Sequence, residues 1–527
     1  MSKARRALTL AAILLAGLAL KGALLSTSAV SFDSDEAVVA LMAKHILAGE
    51  RPVFFYGQTY MGSLDAYLIA GAFQLFGSSV FSVRLVQAFL FAGLILVTYL
   101  LVRRLYADET TALVTALLVA IPTPLVSLYT TITLGGYVEM LLLGTCLLLL
   151  GHVVTERAGA SRDGWRSWLA WALLGLLAGL GFWTLPLSVI YLVPVALVVL
   201  RHWKWRLGPR YGLAVAAFVV GSSPWWGFCL GHGDACLKPL TDSPAQLLTP
   251  AGWLATLGYR LFNLVLLGLP SLWGLRNPWS AEYRLSLLAI PVLALYLGSL
   301  AYALRVRSRN RFLPVAMAGT FVLVFLLTPF GNDGTGRYLL PLYLPAALLV
   351  AELIRALKVP SPWLAAAGLA CLLAFNLAAN VEAALSEPAG MTAQLDARLQ
   401  FGNRYDSELI DFLTRNGETY GYSHYWVAYK ITFLSDETIM IAPRLSYKVD
   451  LSYDTGQDRY PIYSMRVDDS EKPPFYVISN QPELEERLRQ ALDARQIGYR
   501  EQVIGGYRVF YDLSGRAAPE ELGLHEP

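Results

Sequence analysis

The stretch ALTLAAILLAGLALKGALLSTSAVSFDSDE, residues 7–36, decides the fold. Its first part, 7–29, is apolar over the ~20 residues that a helix needs to cross ~30 Å of hydrocarbon. It is too long for a secretory signal, and no clear small-residue cleavage motif ends it. Asp33, Asp35 and Glu36 then crowd together just past the end of the span. A span that delivers an acidic cluster to a membrane surface predicts a polytopic helical protein with chemistry at that surface.

Outward from this stretch, apolar runs recur near 83–102, 110–128, 131–152, 167–182, 184–200, 211–229, 285–304, 312–330, 338–357 and 362–380. With 7–29 they make about eleven expected transmembrane helices. The 527 residues are 55% hydrophobic and only 15% charged, against about 25% charged in soluble domains. A formal net charge of +3 gives no electrostatic case for nucleic acid as a partner.

The basic residues fix an orientation. A cytoplasmic N-terminus puts Lys3, Arg5 and Arg6 inside, with Arg103/Arg104, Arg157/Arg162/Arg166, Arg201/Lys204/Arg206/Arg210, Arg305/Arg307/Arg309/Arg311 and Arg355/Lys358. Every loop assigned inside is then basic, as the positive-inside rule requires. Merging the pair at 167–200 across Phe182-Trp183-Thr184-Leu185-Pro186 would put the downstream basic clusters outside, so the pair is read as two spans. The odd count leaves the C-terminus outside. The expected location is the plasma (inner) membrane, multi-pass, with the C-terminal domain periplasmic.

Hydropathy breaks near residue 381. Residues 1–380 read as a transmembrane catalytic domain with outer loops 31–82 and 230–284, and residues 381–527 as a soluble extracytoplasmic α/β domain. In the first loop, 36–48 and 63–76 read as interfacial helices around a polar, aromatic turn, Tyr56 to Gly62. The second loop holds a candidate dipping helix at 261–273. Past 381, Asp406–Arg415 and Gln481–Arg495 read as helices. Glu418–Tyr422, Thr438–Ala442 and Phe475–Ser479 read as strands. Tyr499–Ile504 and Tyr507–Leu513 read as a hairpin about Gly505-Gly506. The Tyr- and Asp-rich stretch Ser446–Met465 reads as loop.

Asp33-x-x-Glu36 has capping-box spacing. That explains Asp33 and divides Glu36 between cap and site, since acids favour a helix N-terminus. Asp35 is left without a structural role, and a carboxylate at a helix start beside an apolar mouth is a candidate general base. Arg337, in Gly334-Thr335-Gly336-Arg337-Tyr338-Leu339-Leu340-Pro341, offers a guanidinium for bidentate phosphate binding, with glycines that let backbone approach a ligand. Tyr338 stands beside it. Arg84, opening the second span, and Lys21, in the outer third of the first, are further phosphate candidates; snorkelling or structural pairing explains them equally well. Tyr56, Gln58, Tyr60, Asp65 and the buried-span residue Glu139 complete the candidates. Asp33-Ser34-Asp35 could hold a divalent cation but is short of other ligands. Cys229 and Cys236 are a short-loop disulfide candidate in an oxidising compartment; the alternative, a metal pair with His232, is under-ligated. Cys146 and Cys371 fall inside spans, where inert thiols are the default.

Carboxylates and cations converging at the outer surface fit group transfer from a donor that arrives in the membrane. A lipid-phosphate-linked sugar fits: the lipid phosphate leaves readily when cations hold its charge, so one base suffices, whereas a glycosidase needs two spaced carboxylates. The order of features resembles a known family. A first span is followed by an Asp-Glu pair opening a helix, Gly49-Glu50-Arg51-Pro52, Tyr56 to Gly62, a second helix ending Leu75-Phe76-Gly77, and Arg84. This is similar to the family 39 glycosyltransferases of the GT-C fold, which include protein O-mannosyltransferases and the lipid A aminoarabinose transferase. The resemblance is clearest over 31–105; Arg337 to Pro341 also fits.

The resemblance implies inverting transfer from a polyprenyl-phosphate sugar to an acceptor hydroxyl on a glycan, lipid or protein, with Asp35 as base and Glu36 beside it. It implies no metal. Met61-Gly62-Ser63-Leu64 stands where aminoarabinose transferases carry a Lys-Pro-Pro-Leu-like stretch, which weakens the case for a lipid A acceptor. The rival readings are a transporter or flippase of lipid-linked sugars, which needs charges through the membrane middle, and a non-catalytic glycan-assembly protein.

Overall fold

The structure is a computed structural model. It describes residues 2–525 apart from 28, 157–163, 204–207, 234–251, 307–311, 387–389, 395, 401 and 449. The first helix, α1 (Lys3–Ser26), starts at Ser2, whose hydroxyl accepts from the Arg5 amide. After it comes α2 (Ser34–Leu47), the short hairpin β1 (Phe54–Phe55) and β2 (Gln58–Gly62), and α3 (Leu64–Phe76). The expected aromatic turn is thus a two-stranded hairpin closed at Tyr56-Gly57, where Gly57 takes φ +70°. The helices α4 (Val80–Tyr106), α5 (Glu109–Ala120), α6 (Pro124–Tyr129) and α7 (Tyr137–Glu156) follow.

Seven helices are long and apolar enough to cross a membrane among the described residues, or up to eight if a bent pair is one span. They are α1, α4, α7, Trp165–Thr184, Trp253–Leu272, Arg337–Lys358 and Pro362–Leu385; the bent pair is Pro209–Gly221 with Ser223–His232, at 64°. Other expected spans fall on shorter apolar helices: α5, Pro186–His202, Ala289–Arg305 and Phe312–Leu327. The expected dip at 261–273 belongs to one continuous segment, Trp253–Leu272, with a π stretch at Asn263–Gly268. The 167–200 pair is split: Trp165–Thr184 ends at extended Leu185, and Pro186 opens a 3₁₀ turn. The residue before a proline is driven out of the α region, which stops the first helix there. Cys229 is disulfide-bonded and Cys146 and Cys371 are free thiols, whereas Cys236 lies outside the described residues.

Beyond Leu385 the chain builds one five-stranded sheet, order β4-β3-β5-β7-β6, from β3 (Tyr420–His424), β4 (Met440–Leu445), β5 (Phe475–Ser479), β6 (Arg500–Ile504) and β7 (Tyr507–Tyr511). β3 runs parallel to β4 and β5, and β7 antiparallel to β5 and β6. The β6–β7 hairpin turns on Gly505-Gly506, with Ile504 opposite Tyr507. Helices Asp406–Arg415, Tyr425–Leu434, Pro461–Asp468 and Pro482–Ala494 accompany the sheet. The stretch 446–465, expected as loop, holds a 3₁₀ turn (Thr455–Gln457) and the start of the Pro461–Asp468 helix. Eight residues are too few to show a helical hydrophobic period in sequence, although Pro461 at its first position is an ordinary start signal.

The two parts share a core. Tyr425, Tyr429, Phe433 and Tyr463 pack in the same buried cluster as Val38, Leu41 and Met42 of α2. The Tyr425–Leu434 helix lies directly on α2. Asn403 completes the junction: its amide donates to the Phe32 carbonyl at 2.8 Å, and its carbonyl accepts from the Phe32 amide at 2.7 Å. The acidic start of α2 is therefore pinned between the membrane helices and the sheet.

Candidate active site

Asp33 is the N-cap of α2: its Oδ1 accepts from the Glu36 amide at 3.1 Å. Burial first, then the charges of Asp35 and Glu36, push its carboxyl well above the usual range. The Glu36 side chain does not fold back to complete a capping box. It is fully buried and takes a bidentate pair from Arg84, Nε to Oε1 at 3.1 Å and Nη2 to Oε2 at 2.6 Å. Arg84 spends its remaining donors on the Val30 and Ser31 carbonyls. These bonds lock the approach to α2 against the first turn of α4.

Asp35, one residue earlier on the helix, points elsewhere. Its Oδ1 accepts from the Tyr425 hydroxyl at 2.6 Å. It lines a cavity of about 530 Å³ together with Tyr60, Tyr137, Arg337 and Tyr338 from the helical part and Tyr425, Trp426, Tyr447, Asp454, Gln457 and Arg459 from the sheet-bearing part. That volume is ordinary for a small-molecule site. Arg337 Nη2 pairs with Asp333 Oδ2 at 2.8 Å, its guanidinium lies 5.0 Å from the Tyr338 ring centroid, and its Nε has no hydrogen-bond partner among the described residues. Gln58 and Tyr60 also line the cavity. Burial raises the Tyr60 hydroxyl, which sits in the fields of Arg337, Arg459 and Asp35 together.

Several candidates stand away from this wall. Arg84 is committed to Glu36. Lys21 is buried, donating to the Ser127 carbonyl and to Thr130 and Thr131 hydroxyls at 2.6–2.7 Å, so it ties down the C-terminal end of α6. Tyr56 donates to Glu50 at 2.6 Å and stacks on Tyr460. Asp65 accepts from Thr133 at 2.9 Å, and Glu139 has Gln87 at 3.5 Å; both carboxylates are buried behind the cavity. Among the described residues no group of three or more His, Cys, Asp or Glu is placed to hold a metal ion.

The sequence did not single out Tyr425, Trp426 or Arg459. Arg459 reaches across the junction to β2. Its Nη1 donates to the Gly57 carbonyl at 3.3 Å, and with the Gln58 amide oxygen turned toward it both terminal nitrogens donate there at 3.0 Å. Its guanidinium carbon lies 5.4 Å from the Tyr425 ring centroid. For Arg459 the richness of 446–465 in Tyr and Asp was the available signal.

Comparison with solved structures decides the architecture. ArnT from Cupriavidus metallidurans bound to undecaprenyl phosphate superposes with a TM-score of 0.61 at 13% identity, covering 98% of this chain and 100% of that one. The chain has the GT-C fold. An Archaeoglobus fulgidus oligosaccharyltransferase in complex with Zn and sulfate superposes at 0.53 and 14% identity, over 96% of this chain and 73% of its own. These likenesses concern the GT-C fold alone. In sequence, the family model "Dolichyl-phosphate-mannose-protein mannosyltransferase" matches residues 63–228. An undecaprenyl phosphate-alpha-4-amino-4-deoxy-L-arabinose arabinosyl transferase of Pseudomonas aeruginosa (strain PAO1) is 30% identical over 352 residues, 60% of this chain and 54% of the relative. One from Pectobacterium atrosepticum is 33% identical over 182 residues, 33% of this chain and 29% of the relative. The chain spans about half the length of the Pseudomonas relatives it matches.

Proposed function

We propose that this GT-C protein is an inverting glycosyltransferase that moves a sugar from a polyprenyl-phosphate donor to an acceptor hydroxyl at the extracytoplasmic face of the membrane. The observation that carries the reading is the shared cavity, where Asp35 and Arg337 stand on one wall system at the junction of the helices and the sheet. The similarity to arabinosyl transferases that use undecaprenyl phosphate and to the mannosyltransferase family supports it.

In the proposed reaction Asp35 takes the proton of the acceptor hydroxyl. The acceptor oxygen forms its bond to the anomeric carbon from the face opposite the phosphate. The carbon–oxygen bond to phosphate breaks, and the electron pair leaves with the polyprenyl phosphate. Arg337 neutralises that charge, aided by the Tyr338 hydroxyl. Tyr425 holds one oxygen of Asp35, leaving the other for the proton. Glu36 acts at a distance, through Arg84, by fixing the first turn of α2. The positive-inside distribution supports a cytoplasmic N-terminus and an extracytoplasmic sheet-bearing domain from about residue 381.

Transfer of a radiolabelled sugar from undecaprenyl phosphate by the purified full chain tests this. Asp35→Asn should cut transfer by roughly 10²–10⁴-fold while undecaprenyl phosphate binding persists. Undiminished transfer by that variant would sink the mechanism.

A further inference from the structure

We infer that the cavity wall contributed by the sheet-bearing part is a carbohydrate subsite, and that the acceptor hydroxyl belongs to a sugar ring of a glycan. The inference rests on the transferase reading above and goes beyond it by assigning the acceptor class.

A pyranose has two apolar C–H faces and a rim of hydroxyls that both donate and accept in the plane of the ring. Recognition calls for an aromatic platform under a face and planar polar groups around the rim. This wall has both. Trp426 lines the cavity half-buried, with Tyr447 edge-on at 6.3 Å and 74°. Beside them stand a carboxylate, an amide and a guanidinium: Asp454, Gln457 and Arg459. Asp454 Oδ1 is occupied by the Gly456 amide at 3.0 Å, whereas Oδ2 makes long contacts to Gln457 Nε2 at 3.4 Å and Lys448 at 4.0 Å. Capacity to accept a hydroxyl remains there.

Among the described residues, two polar atoms on this wall are buried without a hydrogen-bond partner: Trp426 Nε1 and Arg459 Nε. Buried donors are normally paired, so both side chains keep unused hydrogen-bonding capacity at this wall. The opposite wall carries Arg337, Tyr338, Tyr60 and Tyr137, which suits a phosphate-linked donor. Asp35 sits where the walls meet, hydrogen-bonded to Tyr425, the chain neighbour of Trp426. A sugar lying on Trp426 is thereby brought beside the base.

The experiment uses the purified full chain in nanodiscs and four probes: chitotetraose, mannotetraose, a Ser/Thr-rich peptide and undecaprenyl phosphate. At least one oligosaccharide should bind and the peptide should not compete with it. Trp426→Ala and Asp454→Asn should each weaken the sugar by roughly tenfold, the size expected for a lost stacking platform or charged hydrogen bond. Trp426→Phe should recover part of the loss. Undecaprenyl phosphate should bind all variants as it binds the wild type, which shows that they fold. No oligosaccharide binding, sugar binding indifferent to both substitutions, or peptide binding that depends on Trp426 would each overturn the inference. Failure of the wild type to bind undecaprenyl phosphate would overturn the transferase reading instead, a separate result.

Discussion

At the residue scale, adjacent acids on one helix have opposite fates. Asp33, Asp35 and Glu36 look alike in sequence; capping-box spacing pointed to Asp33 as the helix cap, which it is, and also gave Glu36 a share in the cap that its side chain does not take. What spacing did not reveal was the partner of Glu36, because Arg84 lies 48 positions away and meets it only in the folded chain. An isolated arginine at a span entrance carries no mark that says whether it holds lipid phosphate or a buried carboxylate. The pair is buried on both sides, at 0% and 6% exposure. Arg84→Met should therefore destabilise the protein by about 3–5 kcal/mol by stranding Glu36, and the double change Glu36→Gln, Arg84→Met should recover much of that. Thermal unfolding in detergent measures both, and strict additivity would contradict the pairing. Tyr425→Phe removes the hydroxyl on Asp35 and should lower transfer roughly tenfold, with donor affinity held; an equal loss of donor affinity would place Tyr425 on the donor side.

At the element scale, α2 is held at both ends. Its start carries Asp35 into the cavity, and its end carries Lys44 and His45 onto the sheet-bearing part. Lys44 pairs with Asp436 and Glu437 at 2.7 Å each, and His45 meets Glu437 and Tyr56. Burial works against charge on Glu437, but bonds from His45, Lys44 and Tyr463 outweigh it and hold the carboxyl down at about 2. A folded value below the ordinary ~4.3 gives stability that is full above ~4.3 and lost as pH falls toward the folded value. Amide protection factors in α2, corrected for the intrinsic pH dependence of exchange, should hold from neutral pH to about pH 5 and fall below about pH 4. Glu437→Gln should lower them at neutral pH and flatten the acid dependence; no change would remove Glu437 from the latch. The hairpin β1–β2 is a second constrained element. At Gly57, φ is +70° and a Cβ would stand 2.7 Å from Arg459 Cδ. Gly57→Ala should cost about 1–2 kcal/mol in backbone strain and displace Arg459, read as lower thermal stability together with weaker oligosaccharide binding. The helix bounds Asp406–Arg415 and the strand Phe475–Ser479 were legible from periodicity. The 446–465 stretch was not, because its short 3₁₀ turn and eight-residue helix show no period long enough to read.

At the scale of the whole molecule, hydropathy and basic loops gave the class, and one acidic tetrapeptide gave the place where chemistry should be sought. The count of spans was less legible: an apolar run of span length becomes a short or bent helix when glycine, proline or packing interrupts it, as at Gly221–Ser223. The cavity itself was half legible. Its membrane-side wall, with Asp35, Tyr60 and Arg337, came from residues whose position between apolar runs is readable in one dimension. The other wall comes from residues about 390–425 positions away from Asp35, brought there by tertiary packing of the Tyr425–Leu434 helix on α2. Donor and acceptor would then enter from different parts of the fold, and the base would stand at their junction. Density for undecaprenyl phosphate bound to the full chain in nanodiscs tests this arrangement most directly. Its phosphate should lie within about 3 Å of the Arg337 guanidinium, with the head group inside the cavity that Asp35 lines; a phosphate seated outside that cavity, beyond the reach of Arg337, would contradict it.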